Sequence, residues 1–321
     1  MTSIITLTFN PALDKSVAIA KMVPDKKLKC LNPVIEPGGG GINVARAIKK
    51  LGGNATAIFL SGGDTGKKVG ELLKEEKIDS IAIDLKECTR ENLIIADLAN
   101  NRQYLFDMPG PHVSQPEWQA SLDALIAIPD ISYIIVSGSL PDGVPADIFF
   151  QISSIARNKN AKLVVDTSGE ALKKASQTKL YLMKLNIREL ASLDDKEELN
   201  IVEIPLVARR VIENGNCEAL VISMGPFGAM LVTKELALTV KPPNVHTEST
   251  VGAGDSLVAG LVLSLDQGKT LIEAVQYGVA CGSAATLRAG TELCVKEDAE
   301  NLYQIIKNNT YTRELIFNEN S

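Results

Sequence analysis

Short apolar runs rich in β-branched residues recur along the chain, and each is followed by a stretch whose apolar positions repeat every three to four residues. Residues 3–9, 55–60, 132–137, 162–167, 180–185 and 219–224 have the first pattern and predict buried strands. Residues 42–51, 66–77, 117–126, 145–158, 203–214, 256–266, 270–287 and 297–307 have the second and predict helices. Gly52 after Leu51 and Gly215 after Asn214 are expected to supply the left-handed residue that closes a helix. Such alternation predicts an α/β fold: a mostly parallel central sheet with helices on both faces, and a site off the carboxyl ends of the strands.

Two segments interrupt the alternation. Residues 16–35 and 89–107 hold strand-like pieces with interleaved polar residues and no helix between them. They predict a small separate sheet that either closes over a site or pairs with another subunit, unless they are only long hairpins on the edge of the core. No repeat or low-complexity tract divides the chain, so residues 1–309 are expected to form a single domain with these two insertions. Residues 310–321, polar apart from 315–317, are expected to fray.

Composition narrows the chemistry. The 321 residues are 45% hydrophobic, enough for a large core, and carry a net charge of −6. That balance argues against general binding to nucleic acid or an anionic membrane surface. Five scattered cysteines without a C-x-x-C pair suggest reduced thiols. With no run of 18 apolar residues and no basic leader at the N-terminus, a cytoplasmic protein is expected. Only His112, directly after Pro111, and His246, three residues after Pro243, are present, which leaves little room for a zinc site or a histidine-activated nucleophile.

Glycine-rich segments carry the remaining signal. SGGDTGKK at 61–68 fails as a Walker A loop, because Ser61 replaces its first glycine and Lys68 its final hydroxyl residue. No G-x-G-x-x-G follows a strand, so a nicotinamide fingerprint is missing. Gly38 to Gly41 lead directly into a helix; four consecutive glycines suggest either a hinge or close approach of a ligand to the main chain. TVGAGDS at 250–256 sets one carboxylate, Asp255, at a helix mouth behind Gly252 and Gly254. Asp255 is either a first-turn acid complementing the helix dipole or a proton acceptor beside amides that face an anion.

The ordered set GGGGINVA, SGSLP (137–141), N-x-x-E (Asn186 to Glu189), SMGPFGA (223–229) and TVGAGDS resembles the ribokinase-like, or PfkB, family of sugar kinases, from about Thr6 to Lys307. The resemblance implies a three-layer α/β/α sandwich with a small β-sheet lid. It also implies ATP-dependent phosphoryl transfer with Mg2+, and K+ in many relatives. By the same resemblance, Asp255 is the general base, and Gly252, Ala253 and Gly254 stabilise the transferring phosphoryl group. Asp14, Gly38, Gly39, Asn43 and Ser139 meet the sugar phosphate, while Arg90 and Lys27 meet its phosphate. Lys184, Asn186, Ser223, Gly225, Gly228 and Thr247 face the nucleotide, and Glu189 holds Mg2+ through water. Ser249, Val251, Ala285, Arg288 and Gly290 match the loop that binds a monovalent cation through backbone carbonyls.

The unbroken glycine run favours the subgroup acting on fructose 6-phosphate over relatives in which a lysine interrupts it. The expected activity is therefore the glycolytic phosphorylation of fructose 6-phosphate at its 1-hydroxyl, in a homodimer joined through the lids. Tagatose 6-phosphate or fructose 1-phosphate as substrate, and a sensor that binds without turnover, are the alternatives. Two departures stand out: Leu185 replaces a common proline and restores an N–H before Asn186, and Arg288 places a cation in the monovalent-ion loop.

Overall fold

The computed structural model describes residues 3–288, 290, 292–308 and 313–316. The first third of the chain runs β1 (Ile4–Thr8), β2 (Ala12–Ile19), β3 (Leu31–Gly38), α1 (Gly40–Lys50), β4 (Thr56–Gly62), α2 (Gly63–Glu75) and β5 (Asp79–Leu85). It continues through β6 (Arg90–Asp97), β7 (Arg102–Phe106), α3 (Gln115–Ala127), β8 (Tyr133–Ser137), α4 (Ile148–Asn158), β9 (Lys162–Asp166) and α5 (Gly169–Ser176). Next come β10 (Lys179–Asn186), α6 (Ile187–Leu193), α7 (Ile204–Asn214), β11 (Asn216–Ser223), β12 (Ala229–Val232) and β13 (Leu236–Val240). The chain closes with α8 (Ala253–Asp266), α9 (Leu271–Thr286), α10 (Lys296–Asn308) and β14 (Arg313–Ile316).

The large sheet has the order β14-β13-β12-β11-β10-β9-β8-β1-β4-β5. Pairing is parallel from β11 to β5 and antiparallel from β11 to β14. The chain moves outward from β1 to β4 and β5, then returns to β8 on the other side of β1. That reversal opens a crevice between the carboxyl ends of β1 and β8, where ligands of open α/β sheets bind.

Strand residues alternate between two cores. Ile4 and Leu182 face one that includes α1, α2, α8, α9 and α10, while Ile5, Leu7 and Met183 face the other, packed by α3 to α7. This is the expected α/β/α sandwich. Helices α8 and α9 are buried on nearly all sides, and glycines let them close on one another: a Cβ on Gly260 would fall 2.4 Å from Cys281 Sγ. All five cysteines are free thiols.

The lid is a second sheet of order β3-β2-β6-β7. Its strands reach beyond the expected segments, since β2 begins at Ala12 and β3 ends at Gly38. Asp14 lies in the lid strand β2, because β1 ends at Thr8 and the chain passes into the lid within three residues. Of the tail 310–321, residues 313–316 form β14 on the edge of the large sheet, and the others lie outside the described residues.

Lid and body are tied by Arg46 of α1. Its guanidinium donates to Glu36 Oε1 (2.9 Å) and Pro37 O (3.0 Å) of β3, and to both oxygens of Glu76 (2.8 and 2.9 Å) at the end of α2. Arg46 is buried at 2% exposure, and its guanidinium charge is held by the two carboxylates against desolvation. Removing one partner of such a network strands the other charges. Arg46→Met is accordingly expected to lower stability by about 3 kcal/mol in urea unfolding, whereas Lys68→Met, which breaks an exposed pair with Glu71, should change it by less than about 1 kcal/mol.

Candidate active site

Four loops converge on the crevice. The glycine run turns β3 into α1, and Gly39, in a left-handed conformation (φ 111°), occupies the N-cap. A Cβ on Gly40 would fall 2.4 Å from Ser137 Oγ, and one on Gly41 would fall 2.5 Å from Thr8 Oγ1. A Cβ on Gly38 would overlap the Asp14 carboxylate. The run is therefore no slack hinge. Its glycines press the start of α1 against β1, β8 and the lid, which delivers Asn43 to the crevice.

Opposite stands the mouth of α8. Gly252 is left-handed (φ 74°), and no side chain caps the helix, so its first-turn amides face the crevice. Asn43 Nδ2 donates to Asp255 Oδ2 at 3.0 Å. Burial is the main cause that pushes the Asp255 carboxyl up to about 7, and the Asp166 and Asp14 charges add to it; the Asn43 hydrogen bond and the Lys184 charge oppose it. Lys184 Nζ donates to Asp166 Oδ2 at 3.0 Å and lies close to Gly254, where an added Cβ would sit 3.1 Å from it. A half-buried carboxyl, an ammonium and a helix N-terminus thus share a few ångströms.

On the lid side, Asp14 is buried and accepts from Asn92 Nδ2 at 2.9 Å. Burial raises its carboxyl, against the Asn92 hydrogen bond and the nearby Arg90 and Arg46 charges. Arg90 donates to Asn10 O (3.2 Å) and Met108 O (3.0 Å) and pairs with Asp107. Ser139, exposed just after β8, accepts from Asn10 Nδ2 at 3.0 Å. Lys27 is not brought to this group: it lies exposed in the β2–β3 connection without a hydrogen bond or ion pair among the described residues.

A cavity of about 570 Å3 adjoins the mouth of α8 and is lined by Ser223, Gly225, Gly228, Thr247, Ala253 and Gly254, with Val279 and Gly282 of α9. Asn186 sits in register with Ser223 on the next strand. Asn186 and Glu189 form a capping box for α6: Asn186 N–H donates to Glu189 Oε2 (2.7 Å) and Glu189 N–H to Asn186 Oδ1 (2.9 Å). Burial raises the Glu189 carboxyl. One Glu189 oxygen is left for a further partner, and no cluster of three or more His, Cys, Asp or Glu could cage a metal among the described residues. That donor set suits a hydrated hard cation bridged by water. Leu185, fully buried, simply continues β10.

In the 249–290 region, Ser249 Oγ accepts from Val251 N–H (3.2 Å) and lies 2.8 Å from Gly290 O and 3.0 Å from Gln103 Oε1 of the lid. Ala285 O accepts from Arg288 N–H at 3.1 Å. The Arg288 guanidinium is tied to Asp298 of α10, so its charge is compensated within the loop's own surroundings. His112 and His246 lie in exposed loops, paired with Asp142 and Glu248.

Comparison with known proteins follows the same layout. The pattern that defines the pfkB family carbohydrate kinases matches residues 8–298. The chain belongs to this family. It is 41% identical over 304 residues to the ATP-dependent 6-phosphofructokinase isozyme 2 of Escherichia coli (strain K12), covering 94% of this chain and 98% of that one. The Mycobacterium tuberculosis (strain H37Rv) protein of the same name is 37% identical, covering 94% and 89%. The crystal structure of the Escherichia coli phosphofructokinase-2 with fructose 6-phosphate superimposes with a TM-score of 0.90 at 39% identity, covering 96% of this chain and all of that one. The Escherichia coli structure thus shares the overall fold described above.

Asn10, Asn92, Asp166 and Arg46 were not singled out by sequence. Asp166 ends a recognisable parallel strand, where ligands gather, and Arg46 is a lone charge on the apolar face of α1; both signals were present. A carboxyl raised to about 7 is ionised only above that pH, so a reaction that uses Asp255 as proton acceptor is expected to lose kcat/KM as pH drops through about 7. Asp166→Asn removes a repelling charge and should move that acid limb to lower pH in a pH–rate profile; an unmoved limb would contradict the electrostatic assignment.

Proposed function

We propose that the protein is an ATP-dependent 6-phosphofructokinase that transfers the γ-phosphoryl group of ATP to the 1-hydroxyl of fructose 6-phosphate, giving fructose 1,6-bisphosphate and ADP. The observation that carries this reading is the Asp255 carboxylate held by Asn43 at the uncapped mouth of α8, with Lys184 beside it. The names of the related proteins in Escherichia coli and Mycobacterium tuberculosis supply the substrate.

In the mechanism, Asp255 accepts the proton of the sugar 1-hydroxyl as its oxygen forms a bond to the γ-phosphorus. The bond from that phosphorus to the β–γ bridging oxygen breaks, and ADP departs. Phosphoryl transfer is governed by positioning and charge compensation, so the amides of Gly252 to Gly254 and the Lys184 ammonium stabilise negative charge on the transferring group. Asp14 and Asn43 orient the sugar, Gly38 and Gly39 let it approach the main chain, and Arg90 and Ser139 hold its phosphate. Ser223, Gly225, Gly228 and Thr247 seat the nucleotide. Glu189 and Asn186 would hold Mg2+ through water, and the ion supplies charge neutralisation on the phosphates. The loop of Ser249, Val251, Ala285, Arg288 and Gly290 is the candidate for K+. A crystal structure of the related Escherichia coli phosphofructokinase-2 is a complex with potassium.

The lid supports a homodimer. Leu31, Val34, Ile35, Leu105 and Phe106 are exposed on it, and adjacent Val34 and Ile35 leave apolar side chains on both faces of an edge strand. A sheet so exposed is stabilised by pairing with a second copy, in which Lys27 would reach the partner's cleft. Among the described residues no helix is long and apolar enough to cross a membrane, and we assign the protein to the cytoplasm. Relatives named 1-phosphofructokinase, 32% identical in Borreliella burgdorferi, keep fructose 1-phosphate as the second reading, with tagatose 6-phosphate beside it.

An ADP-release assay across fructose 6-phosphate, tagatose 6-phosphate, fructose 1-phosphate and unphosphorylated sugars should show highest kcat/KM for the first. Asp255→Asn should lower kcat about 100-fold or more with little change in sugar-phosphate affinity. Near-normal turnover in that variant removes the base assignment, and absence of turnover with any sugar in the parent protein favours a sensor. By light scattering the protein should be at least dimeric at micromolar concentration, and Leu105→Glu should shift it toward monomer; a strict monomer contradicts lid pairing.

A further inference from the structure

Asn10 lies just beyond β1, at the crevice where the strand order reverses, between the body and the lid. It is buried at 8% exposure, yet each polar group has a distinct fate. Its Nδ2 donates to Ser139 Oγ of the body at 3.0 Å, and its main-chain oxygen accepts from Arg90 Nη2 of the lid at 3.2 Å. Its Oδ1 is buried without a partner. The segment Pro109-Gly110-Pro111 lies over that oxygen, and a Cβ on Gly110 would come within 2.3 Å of it.

A side chain present only for packing here would be apolar, since a half-satisfied buried amide lowers stability. The retained amide implies that its other half is needed. By donating to Ser139 Oγ, Asn10 occupies a lone pair and leaves the serine proton free to point outward. Its main-chain oxygen, which any residue here would offer, accepts from Arg90 Nη2 and shares with Met108 O the task of fixing the guanidinium plane, so the amide side chain ties Ser139 to the backbone that holds Arg90. One residue therefore fixes the separation of two phosphate donors carried on different sheets.

We propose that Asn10 is a positioning residue for the substrate's own phosphate, aligning the Ser139 hydroxyl with the Arg90 guanidinium, and that it sets the preference for a phosphorylated sugar. The inference rests on the assignment of Ser139 and Arg90 to that phosphate. Asn10 touches neither reacting atom.

The test compares steady-state kinetics of the full-length parent, Asn10→Ala, Asn10→Asp, Ser139→Ala, Arg90→Ala and the double variant Asn10→Ala/Ser139→Ala, with thermal unfolding of each. Loss of an aligning hydrogen bond should raise KM for fructose 6-phosphate about tenfold in Asn10→Ala, with KM for ATP within about twofold and kcat nearly unchanged. Asn10→Asp keeps the shape but cannot donate when ionised and repels a phosphate, so its KM should rise further. The double variant should be no worse than the worse single variant by more than about twofold, because both act through one contact. If Ser139→Ala and Arg90→Ala raise this KM while folded Asn10→Ala and Asn10→Asp do not, the inference is overturned and the phosphate assignment stands. If Ser139→Ala and Arg90→Ala leave it unchanged, the assignment falls and the inference with it. Equal rises for ATP and sugar phosphate in Asn10→Asp also overturn the inference, as a general structural role would produce them.

Discussion

A single hydrogen bond, from Asn43 Nδ2 to Asp255 Oδ2 at 3.0 Å, joins the openings of α1 and α8, and the remainder of the cleft is arranged around it. For the two helices to meet, Gly40 and Gly41 must bring α1 against β8 and β1, and Gly252 must turn left-handed before α8. The shared position buries Asp255 among other acids. Its carboxyl therefore holds a proton up to about 7, and the fold loses stability as pH rises from the ordinary aspartate range to that value. Lys184, itself held by Asp166, limits this penalty. A proton acceptor made readier to take a proton, beside amides that favour an anion, is the combination phosphoryl transfer to a hydroxyl requires.

The residues proposed to recognise the substrate are divided between two sheets. Asp14 and Arg90 belong to the lid, while Asn43, Ser139 and Asp255 belong to the body. Rigid coupling of the sheets is thus part of the site itself. Arg46 clamps β3 to α1 and α2, Gln103 of β7 reaches Ser249 below α8, and Asn10 bridges Ser139 to Arg90. The lid's exposed apolar residues lie on this same coupled unit, so association of lids would bear directly on the geometry of the cleft.

The parallel framework was legible in sequence because its strands are buried on both faces and most of its helices on one, α8 and α9 being apolar nearly all round. The short β-branched runs at β1, β4, β8, β9, β10 and β11 stand out against amphipathic neighbours. Elements outside that logic escaped notice. In β5, DSIAIDL alternates on an exposed edge, and α6 spans only seven residues, too few to show a period. The antiparallel strands β12 to β14 hold only 4, 5 and 4 residues, too few to show a period.

At the cleft, the glycine boxes were visible as compositional oddities, but their reason was not. Gly38, Gly40 and Gly41 answer to Asp14, Ser137 and Thr8, contacts between residues far apart in sequence that no local pattern reveals. Asn186 and Glu189 illustrate the converse, since the same two side chains complete a helix cap while Asn186 stands in register with Ser223 of the cavity proposed for the nucleotide.

The most direct measurement is a crystal structure of the protein with a non-hydrolysable ATP analogue and fructose 6-phosphate. The account predicts an Asp255 carboxylate oxygen about 3 Å from the sugar 1-hydroxyl, with the γ-phosphate against the amides at the mouth of α8. A carboxylate turned away from that hydroxyl, with no water between them, would contradict it.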